Sequence, residues 1–166
     1  LPCEAGSDGR RAILKAISLH QPWASLIALG EKRIETRSWN PNYEGPILIH
    51  AAKKWTRKQK ELIIRPVFRD ALGDYGITEP MPLGGYVARG NIGACILSDE
   101  IGDNEDGRLK SRLQGNESTF GDYSSGRWCW ILYDVVKLPA LIPAKGFQGL
   151  WTPTGEHQRA VSEILG

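Results

Sequence analysis

The sequence predicts an α+β fold in which short strands curl into a small β-barrel with flanking α-helices. Three observations predict it. Strand-like runs such as PILIHA (46–51) and WCWILYDVV (128–136) are short and rich in β-branched or aromatic residues. Helical stretches are interspersed among them without the repeated βαβ rhythm of a parallel sheet. Within the strand-like run from Tyr86 to Leu97, Gly90 and Gly93 mark the bulge or sharp bend that a curling sheet requires.

The elements follow in order. Ordered structure is expected from near Ala12, with a first strand through Ile13, Ile17 and Leu19 that is apolar on both faces. In QPWASLIALG, Pro22 suits the first helical position, Trp23, Leu26 and Ile27 form an apolar stripe, and Gly30 closes the helix. KRIETRSW alternates Arg33, Glu35 and Arg37 with Ile34 and Thr36, as in a half-buried strand. Pro41, Asn42 and Gly45 turn the chain into PILIHA.

Thr56-x-x-Gln59 is a capping box opening a basic helix through Leu62, Ile63, Val67 and Phe68, and Pro66 predicts a kink or break within it. A loop rich in proline and glycine, GITEPMPLGG, leads to the Tyr86 strand. Residues 99–126 read as a long polar loop of weak order. After WCWILYDVV, a short strand is expected around Gly146–Trp151, then a C-terminal helix capped by Thr152 or Thr154 that packs Val161, Ile164 and Leu165.

The chain of 166 residues has the size of one domain, taken as 12–166; residues 1–11 read as a flexible N-terminal arm or an expression remnant. A hydrophobic fraction of 41% against 24% charged residues argues against wholesale disorder. The formal charge of +2 names no partner, but its distribution is uneven. Residues 53–70 hold seven basic residues against two acidic ones, whereas 99–122 hold seven acidic against three basic. Cys3, Cys95 and Cys129 show neither a disulfide framework nor zinc-site spacing, which favours a reducing, cytoplasmic setting. No apolar run approaches the roughly 20 residues that span a bilayer, so no membrane partner is expected.

The densest signal is ISLHQPWASLIALGEKRIETRSW, residues 17–39. It contains Gly30-x-Lys32-x-x-Glu35-x-Arg37, preceded by Gln21-Pro22-Trp23-Ala24 and followed by Ser38-Trp39. Further on come Gly45-x-x-Leu48-Ile49-His50-Ala51-Ala52-Lys53, Leu83-Gly84, Trp128–Tyr133 and Ile142-Pro143-x-Lys145-Gly146-x-Gln148-Gly149-Leu150-Trp151. In this order the motifs resemble the activating signal cointegrator homology (ASCH) domain, a branch of the PUA-like superfamily. The resemblance implies a PUA-like β-barrel with flanking α-helices and a basic cleft between barrel and helices. It also implies RNA binding, with RNA cleavage or modified-nucleoside chemistry in some members; the ligand expected here is single-stranded RNA.

The residues agree with that chemistry. Lys32 follows a helix-ending glycine and is expected to project as a mobile phosphate contact. Glu35 and Arg37 are two apart on a strand, hence on one face, where a pair would aim the guanidinium; a purely structural ion pair is the equal alternative. Trp39 and Tyr43 beside that cation suit base stacking, although such aromatics also serve as core packing. Lys53, Lys54 and Lys145 extend the basic track, and Ser124 and Gln148 complete the expected nucleic-acid-binding set.

A solvated face is the plain reading of the basic helix, where Arg57, Lys58 and Lys60 lie. His20 and His50 end successive strands, but no third ligand accompanies them, so no metal site is assigned. The leading expectation is a nucleic-acid-binding module without a cofactor. One alternative is a metal-assisted ribonuclease with Lys32 and Glu35 as catalytic candidates and a divalent cation as its cofactor. Another is an amidohydrolase of acylated nucleosides such as acetylcytidine. In related small hydrolases a threonine nucleophile lies three residues after the signature lysine; here Glu35 takes that place and Thr36 is one residue on.

Overall fold

The computed structural model describes residues 13–101, 113 and 115–166. The expected N-terminal arm, Cys3 and most of the acidic stretch after Ile101 lie outside these residues.

Five strands form one curled, half-barrel sheet in the order β1-β3-β4-β5-β2. They are β1 (Lys15–Leu19), β2 (Ile34–Arg37), β3 (Gly45–Ala51), β4 (Gly85–Leu97) and β5 (Trp128–Pro143). β1 pairs with β3 in parallel, and every other pairing is antiparallel. The β4–β5 register shifts between Arg89 and Asn91 and between Ile92 and Cys95, at the two glycines expected to bend the strand. Such bulges raise the local twist, and here they curl the sheet.

The two-residue period decides which face each side chain serves. Ile17, Ile47 and Ile49 pack on the inner face with Trp130 and Leu132, under helix α1 (Trp23–Ala28). Ala16, Leu48 and Tyr86 pack on the outer face against Val161 of helix α5 (Gly155–Leu165). A third cluster joins Leu26 of α1 to Ile63, Phe68 and Leu72 from α2 (Arg57–Ile63) and α3 (Pro66–Leu72).

Helix ends follow their caps. Thr56 and Gln59 form the expected capping box, and the helix breaks where Pro66 becomes the first residue of α3. Thr154, rather than Thr152, caps α5, where Val161 is buried while Ile164 stays largely exposed. Pro22 precedes α1 as its N-cap instead of opening its first turn.

The C-terminus of α1 is a Schellman turn: Glu31 N–H donates to Leu26 C=O at 2.9 Å and Gly30 N–H to Ile27 C=O at 3.0 Å. Gly30 takes φ +78°, a left-handed conformation that a Cβ would strain. The reversal also lets Lys32 N–H donate to Leu26 C=O, which turns residue 32 back under the helix.

Two further expectations are corrected. Residues 144–150 form a loop, not a strand; only Trp151 makes a bridge, to Ala16. The stretch expected as polar loop contains a 3₁₀ turn at Ser98–Glu100 and a short helix α4 (Glu117–Phe120), which buries both Glu117 and Phe120. Phe120 meets Phe68 edge to face at 5.2 Å, so a core contact holds this segment in place.

Candidate functional site

A cleft of about 770 Å³ opens between the edge of β1, strand β2 and the 146–149 loop. That volume suits a ligand of drug size, such as a nucleotide or two. Ser18, Leu19 and His20 form one wall and Glu35, Thr36 and Arg37 the next; Gly146–Gly149 forms a third, with Trp23, Trp39 and Phe147 as aromatic surfaces.

Two arginines supply its positive charge. Arg37 Nε donates to Glu35 Oε1 at 2.8 Å and its Nη2 to Ser18 C=O at 2.8 Å. Arg127 Nη2 donates to Thr36 C=O at 3.0 Å, and its Nε lies 3.6 Å from Asp122 Oδ2. Their side chains are 26% and 28% exposed, so each guanidinium is steered by protein acceptors yet open to the cleft. A planar cation held in this way presents its remaining N–H groups to phosphate with little loss of freedom.

The third wall is fixed by His50, which is buried. Its Nδ1 lies 2.9 Å from Ser18 Oγ and its Nε2 2.8 Å from Ala144 C=O. Because Nε2 faces a carbonyl it carries the proton, and Nδ1 accepts from the Ser18 hydroxyl. Burial lowers the His50 pKa, outweighing the opposing carbonyl hydrogen bond, with a further lowering from His157. Gly146 lies so close that a Cβ there would sit 2.5 Å from Ser18 Oγ and 2.6 Å from His50 Cε1.

A smaller chamber of about 330 Å³ adjoins the cleft, sharing Trp23, Glu35 and Thr36 with it and adding Lys32 and Thr119–Asp122. The Lys32 ammonium donates to the Ile34 carbonyl and lies 3.6 Å from Glu35 Oε2. Glu35 is thereby bound by Lys32 on one oxygen and Arg37 on the other. Behind this pair, Glu117 accepts from Arg33 N–H at 3.0 Å and Ile34 N–H at 2.9 Å. Burial raises the Glu117 pKa against the lowering effect of those bonds and of Lys32. The Tyr123 hydroxyl is also buried, without a hydrogen-bond partner among the described residues, and burial drives its pKa well upward.

The expected site residues therefore divide. Glu35, Arg37, Trp39 and Gln148 line the cleft. Lys32 does not project as a mobile cation: it is 2% exposed, because the Schellman turn directs it inward. Tyr43 is turned elsewhere, its hydroxyl 2.7 Å from the carbonyl oxygens of Ile13 and Pro46. Ser124 is exposed and donates to Asp122 Oδ1 at 2.6 Å. Lys53, Lys54 and Lys145 are exposed outside the cleft lining, with Lys145 Nζ 5.5 Å from the Phe147 ring centre. Among the described residues, no three His, Cys, Asp or Glu side chains group as metal ligands.

Sequence reasoning gave too little weight to Arg127, Ser18 and Phe147. Arg127 stands directly before an apolar strand, and Phe147 lies between the two glycines of KGFQG; both signals were present. Glu117 left none, since its burial comes from a packing partner far away in sequence.

The fold has known counterparts. A sequence model of the ASCH domain matches residues 17–139. The chain belongs to the ASCH domain family. This is a PUA-like fold associated with RNA binding. The ASCH chain is 40% identical over 53 residues to activating signal cointegrator 1 of Homo sapiens and, equally, of Mus musculus. That match covers 32% of this chain and 9% of those proteins, so the similarity concerns a small part of each. The crystal structure of ASCH from Zymomonas mobilis superimposes with a TM-score of 0.54 at 16% identity, covering 91% of this chain and 94% of that one. A single-site variant of the same protein gives 0.52 at 14% identity, covering 92% and 96%. At these identities the likeness is one of fold.

Proposed function

We propose that the cleft between β1, β2 and the 146–149 loop binds single-stranded RNA, phosphate on Arg37 and Arg127 and bases on its aromatic walls. The observation that carries this reading is the pair of guanidiniums. Each is anchored by a backbone carbonyl, partly open, and set beside Trp23, Trp39 or Phe147. Phosphate contacts supply affinity that salt weakens, and stacking adds about 1–3 kcal/mol per base without demanding a sequence. A volume that suits a nucleotide or two matches part of a single strand better than a paired duplex.

Titrating labelled single-stranded RNA at increasing salt tests the reading. Arg37→Gln and Arg127→Gln are each expected to weaken binding and flatten the salt dependence by about 0.7 in log–log slope. Trp39→Ala is expected to weaken binding about tenfold or more at any salt. Affinity indifferent to salt and to all three changes rejects it.

A second reading, RNA cleavage, rests on the Lys32–Glu35 pair that borders the adjoining chamber. Incubating the same RNA with and without a divalent cation separates cleavage from binding. Deacylation of acetylcytidine is tested directly on the free nucleoside, with Thr36→Ala as the control.

A further inference from the structure

We propose that the RNA path does not end in the cleft but continues along an exposed cationic track formed by Lys53, Lys54, Lys58, Lys60 and Arg65. This rests on the cleft reading and extends it to the part of a longer strand that the cleft cannot hold.

Three observations carry it. The first is charge without neutralisation. All seven basic residues of 53–70 are exposed, and only two have an acidic partner within salt-bridge distance among the described residues: Arg57 with Glu61 at 2.8 Å and Arg69 with Asp70 at 3.3 Å. The other five have no such partner there and fall within 13 residues of sequence. Mutual repulsion disfavours such a cluster, and a polyanion relieves it.

The second is continuity. Ala52, immediately before Lys53, lines the cleft, and its N–H donates to Leu19 C=O at 2.9 Å on the same wall. The track therefore begins where the cleft ends. Its far part lies on α2 and at Arg65, the N-cap of α3, and α2 packs through Ile63 and Leu62 into the cluster that also holds Trp23 of the cleft.

The third is orientation. Gly84 takes φ +71°, and the Lys53 stem lies over it: a Cβ at 84 would meet Lys53 Cγ at 2.8 Å and Cε at 2.9 Å. Gly84 itself ties the β3 end to the third wall of the cleft. Its N–H donates to Ala51 C=O at 2.7 Å and its C=O accepts from Ala144 N–H at 3.1 Å. Lys53 is thus laid along the rim beside the 144–149 loop, with its stem ordered by packing.

Anisotropy titrations with a uridine trinucleotide, which occupies the cleft but is too short to follow the track, and a single-stranded RNA of about 20 nucleotides test the track. The variant carries Lys53, Lys54, Lys58, Lys60 and Arg65 all changed to Gln; circular dichroism and thermal melting verify its fold. The expected result is a loss of about tenfold or more for the long RNA, with its salt slope reduced by up to about 3.5, and an unchanged trinucleotide affinity. Unchanged affinity for the long RNA, or equal loss for both ligands, overturns the inference. So does a variant that keeps the long RNA but loses binding to phosphatidylserine vesicles, which assigns the track to a lipid surface. Failure of the cleft reading looks different: the trinucleotide does not bind, or ignores Arg37→Gln and Trp39→Ala, while the long RNA still depends on the five cations.

Discussion

The carboxylate of Glu117 accepts the backbone N–H of Ile34 at 2.9 Å, joining helix α4 to the first residue of β2 across 83 positions of sequence. The same carboxylate takes the Arg33 N–H, so two donors at the start of an edge strand are satisfied by one side chain. This is how the segment after the acidic stretch is locked onto the strand that bears Glu35 and Arg37.

Glu117→Ala is expected to lower stability by about 2–4 kcal/mol, since it leaves two strand donors without their acceptor in a buried setting. Glu117→Gln keeps one acceptor oxygen and should cost about half as much. Urea denaturation of both variants gives the comparison; equal and negligible losses would show that the carboxylate does not hold the strand.

Lys32→Met separates architecture from recognition. Removing the buried ammonium leaves Glu35 with Arg37 alone in a poorly hydrated place, at a cost of about 3–5 kcal/mol. Melting temperature should fall sharply, while RNA affinity measured well below the transition changes less than for Arg37→Gln. A variant of normal stability that loses RNA binding would instead place the ammonium at the ligand.

Gly146→Ala should disturb the third cleft wall with little effect elsewhere. The added methyl meets Ser18 Oγ and His50 Cε1 at distances that side chains do not tolerate. Overpacking of this kind costs about 1–3 kcal/mol. RNA affinity should drop together with stability, and Ser18→Gly, which removes one of the obstructing atoms, should restore part of both.

His50 gives the stability a pH dependence of defined sign. Its pKa is lowered in the folded state, so on acidification the unfolded chain takes up the proton first. Its contribution is complete above the unfolded value of about 6.5 and is lost as pH falls below it toward the folded value. The raised pKa of Glu117 acts in the opposite sense, favouring the folded state as pH falls toward the ordinary carboxylate range. Comparing melting temperatures of the protein and of His50→Gln between about pH 7 and pH 5 isolates the histidine: the slope should be smaller in the variant. Identical slopes would exclude it.

Much of this organisation was legible in the sequence because it depends on short-range rules. The capping box at Thr56, the break at Pro66, the reversal at Gly30 and the bends near Gly90 and Gly93 are each set by neighbouring residues. The shared face of Glu35 and Arg37 follows from the two-residue period alone, and the structure joins them by a direct hydrogen bond. What escaped depends on distant partners. Lys32 reads as a surface cation until the Thr119–Asp122 segment that shares its chamber is known. Glu117 reads as one more acidic loop residue until β2 offers it two amides. The 146–149 segment resembles a strand, but its shape comes from His50, far earlier in the chain, which holds Ala144.

That last contact bears on how the protein can be cut. The stretch that matches the family ends at residue 139, whereas Ala144, Phe147, Gln148 and the Trp151 bridge to Ala16 all lie beyond it. A fragment trimmed to the matched boundaries would keep all the strands except the first residues of β1 and the tail of β5, yet lose one wall of the cleft and leave a buried imidazole facing solvent. Dissection of this domain therefore has to extend through Trp151, and a recombinant piece that stops earlier would report on an incomplete cleft.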